Sequence, residues 1–446
     1  MTVAVEKLSL TEAYARLADL IRQEKSSRIE IPVEQTDPLA WLAAQRGGAK
    51  LYWRDRDGAN EIAGLGTADV ALTADLTELK DRLGRRLRES GSSSGSRYFG
   101  GLRFDPERGE DTRADEWDSF GAARFVLPRV EVLKRSKQYF VAVNRTRNDR
   151  NEDIVAALAK LQRPGPFDAV THRPHTGTDS PDRDGWIESV NRALDLIGRG
   201  AAQKLVLARK RRLLFDTTPN PWTLLDRLRS STENCFLFGV LSGSDYTFIG
   251  ATPERLYRRD NNLIESEALA GTRPRGESAD DDHRLASELA ASTKERWEHR
   301  LVISGIHDAL FALCEECTVD DTTAPVKLAR LQHLRTGLSG RLKPNITDID
   351  ILEGLHPSAA VGGYPSRKAV ALLRGLEPFD RGWYAGPVGW VGNDRAEFAV
   401  GIRSALVSAK EIDLYSGAGI VSGSDPEAEW DEIESKIAPF MRLFGE

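Results

Sequence analysis

The stretch IDLYSGAGIVSGSDPEAEWDEIESKIAPFMRL, Ile412–Leu443, decides how the fold is read. Ile412–Tyr415 alternates apolar and polar side chains, the period-two pattern of a half-buried strand. Ser416–Ile420 (SGAGI) reads as a glycine-rich turn that lets backbone N–H groups approach an anion, although such turns also serve simply to reverse a strand. A long helix, Asp425–Leu443, then opens well. Asp425 can cap the first amides, Pro426 suits the first helical position, and Glu427 meets the positive end of the dipole. Outward from this unit the same texture recurs. Leu205–Leu207, Phe236–Leu241, Tyr246–Ile249 and Phe398–Ile402 are short runs bounded by glycine, aspartate or serine and read as strands. Asp281–Cys314 is a second long helical pattern. Trp186, Val190, Ala193, Leu194 and Ile197 mark a further helix closed by Gly198 and Gly200. This irregular alternation predicts a mixed α/β (α+β) architecture, not a regular doubly wound sheet. Gly91–Ser96 (GSSSGS) reads as a flexible loop, and Ser180–Gly185 (SPDRDG) as a polar connector before a helix.

The 446 residues are 40% hydrophobic and 29% charged, the composition of a globular protein. A net charge of -6 argues against nucleic acid as the main ligand, so an anionic small substrate needs a locally basic pocket. Charges interrupt every apolar stretch of the N-terminus, and no run approaches the roughly 18 apolar residues of a membrane span. The expectation is a cytoplasmic protein with no membrane partner. Cys235, Cys314 and Cys317 are too few for a disulfide framework; Cys314 and Cys317, in an apparently helical stretch, read as an inert reduced pair. The seven histidines lack metal-ligand spacing, which disfavours zinc.

Several residues then stand out for their chemistry. Glu295 and Glu298 lie three apart, as do Glu429 and Glu432, so each pair shares a helical face. Four carboxylates from two facing helices would suit Mg²⁺; on spacing alone a solvated surface is the better reading, because glutamates three apart are common there. Lys204 opens the run KLVLAR and either snorkels to solvent or, inside a pocket, serves as a general base. Glu254, in GATPERL, is either a turn residue paired with Arg255 or Arg258, or a general acid whose pKa is raised by burial. Thr272 ends a second glycine-rich turn, Ala270–Thr272. Arg403, on an expected central strand, must be paired or must meet an anionic ligand. His356 is a ligand contact or a hydrogen-bonded structural histidine.

Taken together, these stretches resemble the chorismate-binding enzyme family of isochorismate, salicylate, anthranilate and aminodeoxychorismate synthases. The matching segments run in the family's order: KLVLAR at Lys204, TPERL at Thr252, ALAGTRPRG at Ala268, KERWEH at Lys294, LHPSAAVGGYP at Leu355, EPFDRGWYAGPVGW at Glu377, EFAVGIRSAL at Glu397 and SGAGIVSGSDPEAEWDEIESKI at Ser416. RYFGGLRFD at Arg97 adds a weaker match. The resemblance implies one large domain over 1–446, with layered antiparallel sheets surrounded by helices, like anthranilate synthase component I. Residues 1–199 would complete the fold, and 200–446 would carry the active-site motifs.

It also implies a ligand set. Glu298 and Glu432 would contact Mg²⁺, with Glu295 and Glu429 close by. Tyr384, Arg403, the amides of Gly417, Ala418 and Gly419, and Lys436 would hold the carboxylates of chorismate. Thr272 and His356 would line the pocket, Lys204 would be the base, and Glu254 the acid. Ala270 stands where common aminodeoxychorismate synthases carry a nucleophilic lysine, which counts against that branch. LHPSAAVGGYP and EPFDRGWYAGPVGW look most like isochorismate synthases, particularly those feeding menaquinone synthesis, with siderophore synthesis also open. Salicylate synthase and anthranilate synthase component I follow as alternatives, and an inactive chorismate-binding subunit is the non-enzyme reading. A monomer without an obligate amidotransferase is the simplest expectation.

Overall fold

The computed structural model describes residues 7–445 except 74, 91–94, 110–112, 171, 244 and 328–329. Gly91–Ser94 of the expected loop, like the first six residues of the N-terminus, thus lie outside the described residues. Two long strands, Asn60–Thr73 and Ala123–Arg135, pair antiparallel along their length, with a register shift between Thr67 and Asp69. A bulge of this kind bends a strand and sharpens its twist. The pair joins two arms of one continuous hydrogen-bonded sheet. One runs from Asn60–Thr73 through Lys50–Arg54, Phe236–Leu241, Thr247–Thr252, Ser404–Val407, Glu411–Ile420 and Lys204–Leu214 to Thr176–Ser180. The other runs from Ala123–Arg135 through Tyr98–Leu102, Pro387–Val391, Arg395–Val400, Arg255–Asp260 and Leu263–Pro274 to Leu331–Leu342. All of these ladders are antiparallel.

Burial explains why the central strands read as continuous apolar runs. Phe248 faces a core shared by both arms of the sheet, with Phe125, Phe238, Trp383 and Phe398. The next residue, Ile249, faces a second core roofed by helices, with Leu17, Trp41, Leu224 and Phe440. A strand buried on both faces has no polar face to show. Each such side chain stabilises the fold by about 1.5–3 kcal/mol relative to its exposed state. The layered, helix-covered architecture agrees with the family resemblance.

Three local expectations are corrected. The pattern Asp281–Cys314 is two helices, Ala279–Ala291 and Thr293–Leu313. Ser292, in extended conformation, ends the first helix and caps the second through the Glu295 amide. A single non-helical residue leaves the apolar periodicity almost unchanged, which hid the break. Cys314 and Cys317 lie on the strand Cys314–Val319, and both are free thiols. Ala270–Thr272 is no turn: Gly271, at φ 74°, is a bulge inside Leu263–Pro274, where the register against Leu331–Leu342 slips by one. The opening of the helix Pro426–Met441 is as read, with Asp425 accepting from the Glu427 and Ala428 amides. Among the described residues no helix is long and apolar enough to cross a membrane.

Candidate active site

A missing strand neighbour creates the cleft. Ser404–Val407 stops at Ser404, opposite Tyr415. The chain leaves the sheet at Arg403, whose φ of 48° is left-handed. Ser416–Ile420 therefore keeps Lys204–Leu214 on one edge and is open on the other. Two expectations change here: SGAGI is strand, not turn, and Arg403 sits at a junction, not on a central strand. The Gly417 carbonyl accepts from Lys436 Nζ at 2.8 Å. In a strand the N–H and C=O of one residue point to the same edge, and alternate residues share that edge. Gly417 and Gly419 thus turn their amides to the cleft, whereas Ala418 packs its fully buried methyl in the core. A Cβ at 419 would meet the Glu298 carboxylate and lie 2.9 Å from Lys204 Cε, so any side chain there has to displace these two groups.

The cleft holds about 750 Å³ of empty space, counting its open mouth, and every residue lining it falls between 204 and 436. Lys204 does not snorkel. It is 1% exposed and meets Glu298 Oε1 at 3.0 Å. Glu254 lies on the turn between Thr247–Thr252 and Arg255–Asp260, buried and lining the same cleft. Arg255 does not neutralise it, being bound to Glu397 at 3.1 Å. Burial, then the charge of Glu267, pushes the Glu254 carboxyl up to about 8. At neutral pH it keeps its proton and can donate it.

The two acidic helices converge. Lys294 of Thr293–Leu313 reaches Glu429 of Pro426–Met441 at 2.6 Å. Each of the four glutamates meets one cation: Glu298 with Lys204, Glu295 with Arg273 (3.1 Å), Glu429 with Lys294, and Glu432 with Lys436 (2.6 Å). The surface reading of these glutamates is thereby excluded. Burial and the neighbouring Glu298 raise Glu295; burial and Glu432 push Glu429 up to about 7. For Glu432 burial works the same way, but Lys436 and Lys294 outweigh it and hold the carboxyl low. Glu298 and Glu432 line the cleft, with Glu295 and Glu429 buried behind them. Among the described residues no three metal-ligating groups form a ready-made ligand set. Two cleft-facing carboxylates with room for water nevertheless fit a hard divalent cation such as Mg²⁺.

Thr272, Tyr384, Arg403 and Lys436 also line the cleft. Tyr384 stacks on Tyr415 at 5.0 Å between ring centroids. His356 does not join them. Its Nε2 lies 3.1 Å from the carbonyls of Arg103 and Phe104, so it is the hydrogen-bonded structural histidine. Sequence reading missed His333, which does line the cleft. Its Nδ1 lies 3.0 Å from the Gly271 carbonyl, which only accepts, and its Nε2 lies 3.0 Å from Arg403 Nη2, which only donates. Burial and the Arg403 charge push this imidazole down to about 3, so it is neutral, with the proton on Nδ1. Only the bulge at Gly271, invisible in a single sequence, marks His333 as a site residue.

Comparison with known proteins follows the same lines. The family described as chorismate binding enzyme matches residues 12–445. The chain belongs to the chorismate-binding enzyme family. Isochorismate synthase MenF of Bacillus subtilis is 32% identical, over 93% of this chain and 92% of that protein. Isochorismate synthase 2, chloroplastic, of Arabidopsis thaliana is 33% identical, over 93% and 80%. Among solved structures of the family, MenF, the menaquinone-specific isochorismate synthase from Escherichia coli, superposes with a TM-score of 0.87. It is 30% identical and the match covers 98% of this chain and 99% of that one. Anthranilate synthase component I from Streptococcus pneumoniae, at 20% identity and a TM-score of 0.68, shares the fold.

Proposed function

We propose that this protein is an isochorismate synthase, converting chorismate to isochorismate in the presence of Mg²⁺. The observation that carries the reading is a buried Glu254 without an ion-pair partner among the described residues, facing the same cleft as Lys204 beside Arg403 and Lys436. Relatives named isochorismate synthase, matched over nearly their whole length, support it. Lys204, as the neutral amine, accepts a proton from water as the water oxygen bonds to C2 of the ring. The two ring double bonds shift, the C4–O bond breaks, and Glu254 gives its proton to the departing hydroxyl, which leaves as water. One water enters and one leaves. General acid and general base steps are typically worth about 10²–10⁴-fold each.

Arg403, Lys436, Tyr384 and the Gly417 and Gly419 amides hold the substrate's carboxylates. Glu298 and Glu432 would hold Mg²⁺, with Glu295 and Glu429 behind them, and the ion would supply charge neutralisation for a substrate carboxylate. Thr272 lines the ring site. The reading extends to a cytoplasmic monomer that needs no amidotransferase, on the menaquinone branch named for the MenF relatives in preference to a siderophore branch.

Incubating pure protein with chorismate and Mg²⁺, followed by chromatography, tests this directly. Isochorismate alone is the expected product. Salicylate with pyruvate would replace the reading with salicylate synthase. Chorismate that binds but is never turned over would make the protein a non-enzyme.

A further inference from the structure

One ion pair grips the Glu254 turn from both sides. Arg56 comes from the hairpin between Lys50–Arg54 and Asn60–Thr73, in the part of the chain that supplies no cleft residue. Its Nη2 donates to the Pro253 carbonyl at 2.7 Å and to Glu267 Oε1, and its Nη1 donates to Glu267 Oε2 at 3.1 Å. Glu267 Oε1 in turn accepts the Arg255 backbone N–H at 3.0 Å. The residues before and after Glu254 are therefore tied to the same pair. Arg335 closes the group from the far side, with Nε 2.7 Å from Glu267 Oε2. Arg56 and Arg255 also each lie over the Phe236 ring, at 5.0 and 5.5 Å, which restrains both guanidiniums.

We propose that Arg56 and Glu267 are positioning residues for Glu254: together they clamp the turn Pro253–Arg255 through hydrogen bonds on both sides of it. The inference rests on Glu254 being the general acid. Glu267 is 2% exposed, and burial alone would raise its carboxyl; Arg56, the Arg255 amide and Arg335 overcome that and keep it ionised. Lys204, Lys436 and Arg56 act on Glu254 in the opposite sense to Glu267, Arg403 also feels its charge, and Tyr384 faces it as a phenol. After burial, Glu267 is the strongest influence on that carboxyl. The clamp supplies geometry through Arg56 and charge through Glu267, so two conservative variants separate the roles.

Glu267→Gln keeps the shape and removes the charge. We expect the ¹³C-detected titration of the Glu254 carboxyl, and the alkaline limb of kcat/KM with it, to move down by about one pH unit. Arg56→Lys keeps the charge, but one ammonium cannot span Pro253 and both Glu267 oxygens. There we expect an unmoved Glu254 midpoint and a kcat lower by about 10-fold or more. A Glu254 midpoint unchanged in Glu267→Gln, or a full kcat in Arg56→Lys, would overturn the proposal. If Glu267→Gln does not fold, Arg56→Lys still decides the clamp. The NMR titration needs no turnover, so a wild-type protein inert toward chorismate would refute the proposed function while this inference stays open to test.

Discussion

The Glu254 turn and the two acidic helices place the same side chain in different electrostatic surroundings. Glu254 is buried, forms no ion pair among the described residues, and has the Glu267 charge nearby, so it keeps a proton to about pH 8. Glu295 and Glu429 also feel the charge of neighbouring glutamates, yet each of the four has a lysine or arginine in contact. One region lacks a partner and becomes an acid. The other has four cationic partners, and there Lys436 and Lys294 hold Glu432 low despite its burial. A glutamate's role is set by its immediate neighbours, and opposite roles can therefore share one cleft.

Removing the proton-transfer groups should have the largest effect. Lys204→Ala and Glu254→Gln are each expected to lower kcat by about 10²–10⁴-fold with the fold intact by circular dichroism. Near-normal activity in either would take that residue out of the mechanism. Gly419→Ala tests whether the cleft wall tolerates a methyl against Glu298 and Lys204. We expect a loss of about 10²-fold or more in kcat/KM, since displaced catalytic groups are costly. On the acidic side, Glu429→Gln should weaken Mg²⁺ by about 10–100-fold, as read by metal titration, while leaving the Glu254 midpoint in place. An unchanged metal affinity would make Glu429 a packing residue.

The smallest effect is on stability. Glu254 holds its proton more tightly folded than unfolded, so the folded state loses stability as pH rises from about 4.5 to about 8, and the loss is complete above that. Glu254→Gln should therefore be more stable than wild type at pH 9, on the order of a few kcal/mol, and closer to it at pH 4. Equal melting temperatures at pH 9 would contradict a protonated Glu254. For the same reason the wild-type rate should fall as pH rises through about 8.

Much of this was legible in the residues, and the gaps have physical causes. Strand cores such as Phe236–Leu241 and the Asp425 cap are local signals, carried by neighbours in sequence. The contact of Lys204 with Glu298 joins residues far apart in the chain; the ordered family motifs assigned both to one site without pairing them. His333 escaped because a histidine on a strand looks structural until the Gly271 bulge presents a carbonyl to it. His356 misled for the converse reason: it sits in a matching motif, but its ring is spent on the Arg103 and Phe104 carbonyls. Arg56 and Glu267 carry no motif at all. Their meaning lies in a clamp between two halves of the chain.

The most direct test is to run the reaction on chorismate in ¹⁸O-water and locate the label in isochorismate. If Lys204 activates water while Glu254 expels the C4 hydroxyl, the new C2 hydroxyl carries one ¹⁸O. Isochorismate that retains the original unlabelled oxygen would mean the hydroxyl migrates within the substrate, and the paired base and acid would have no role.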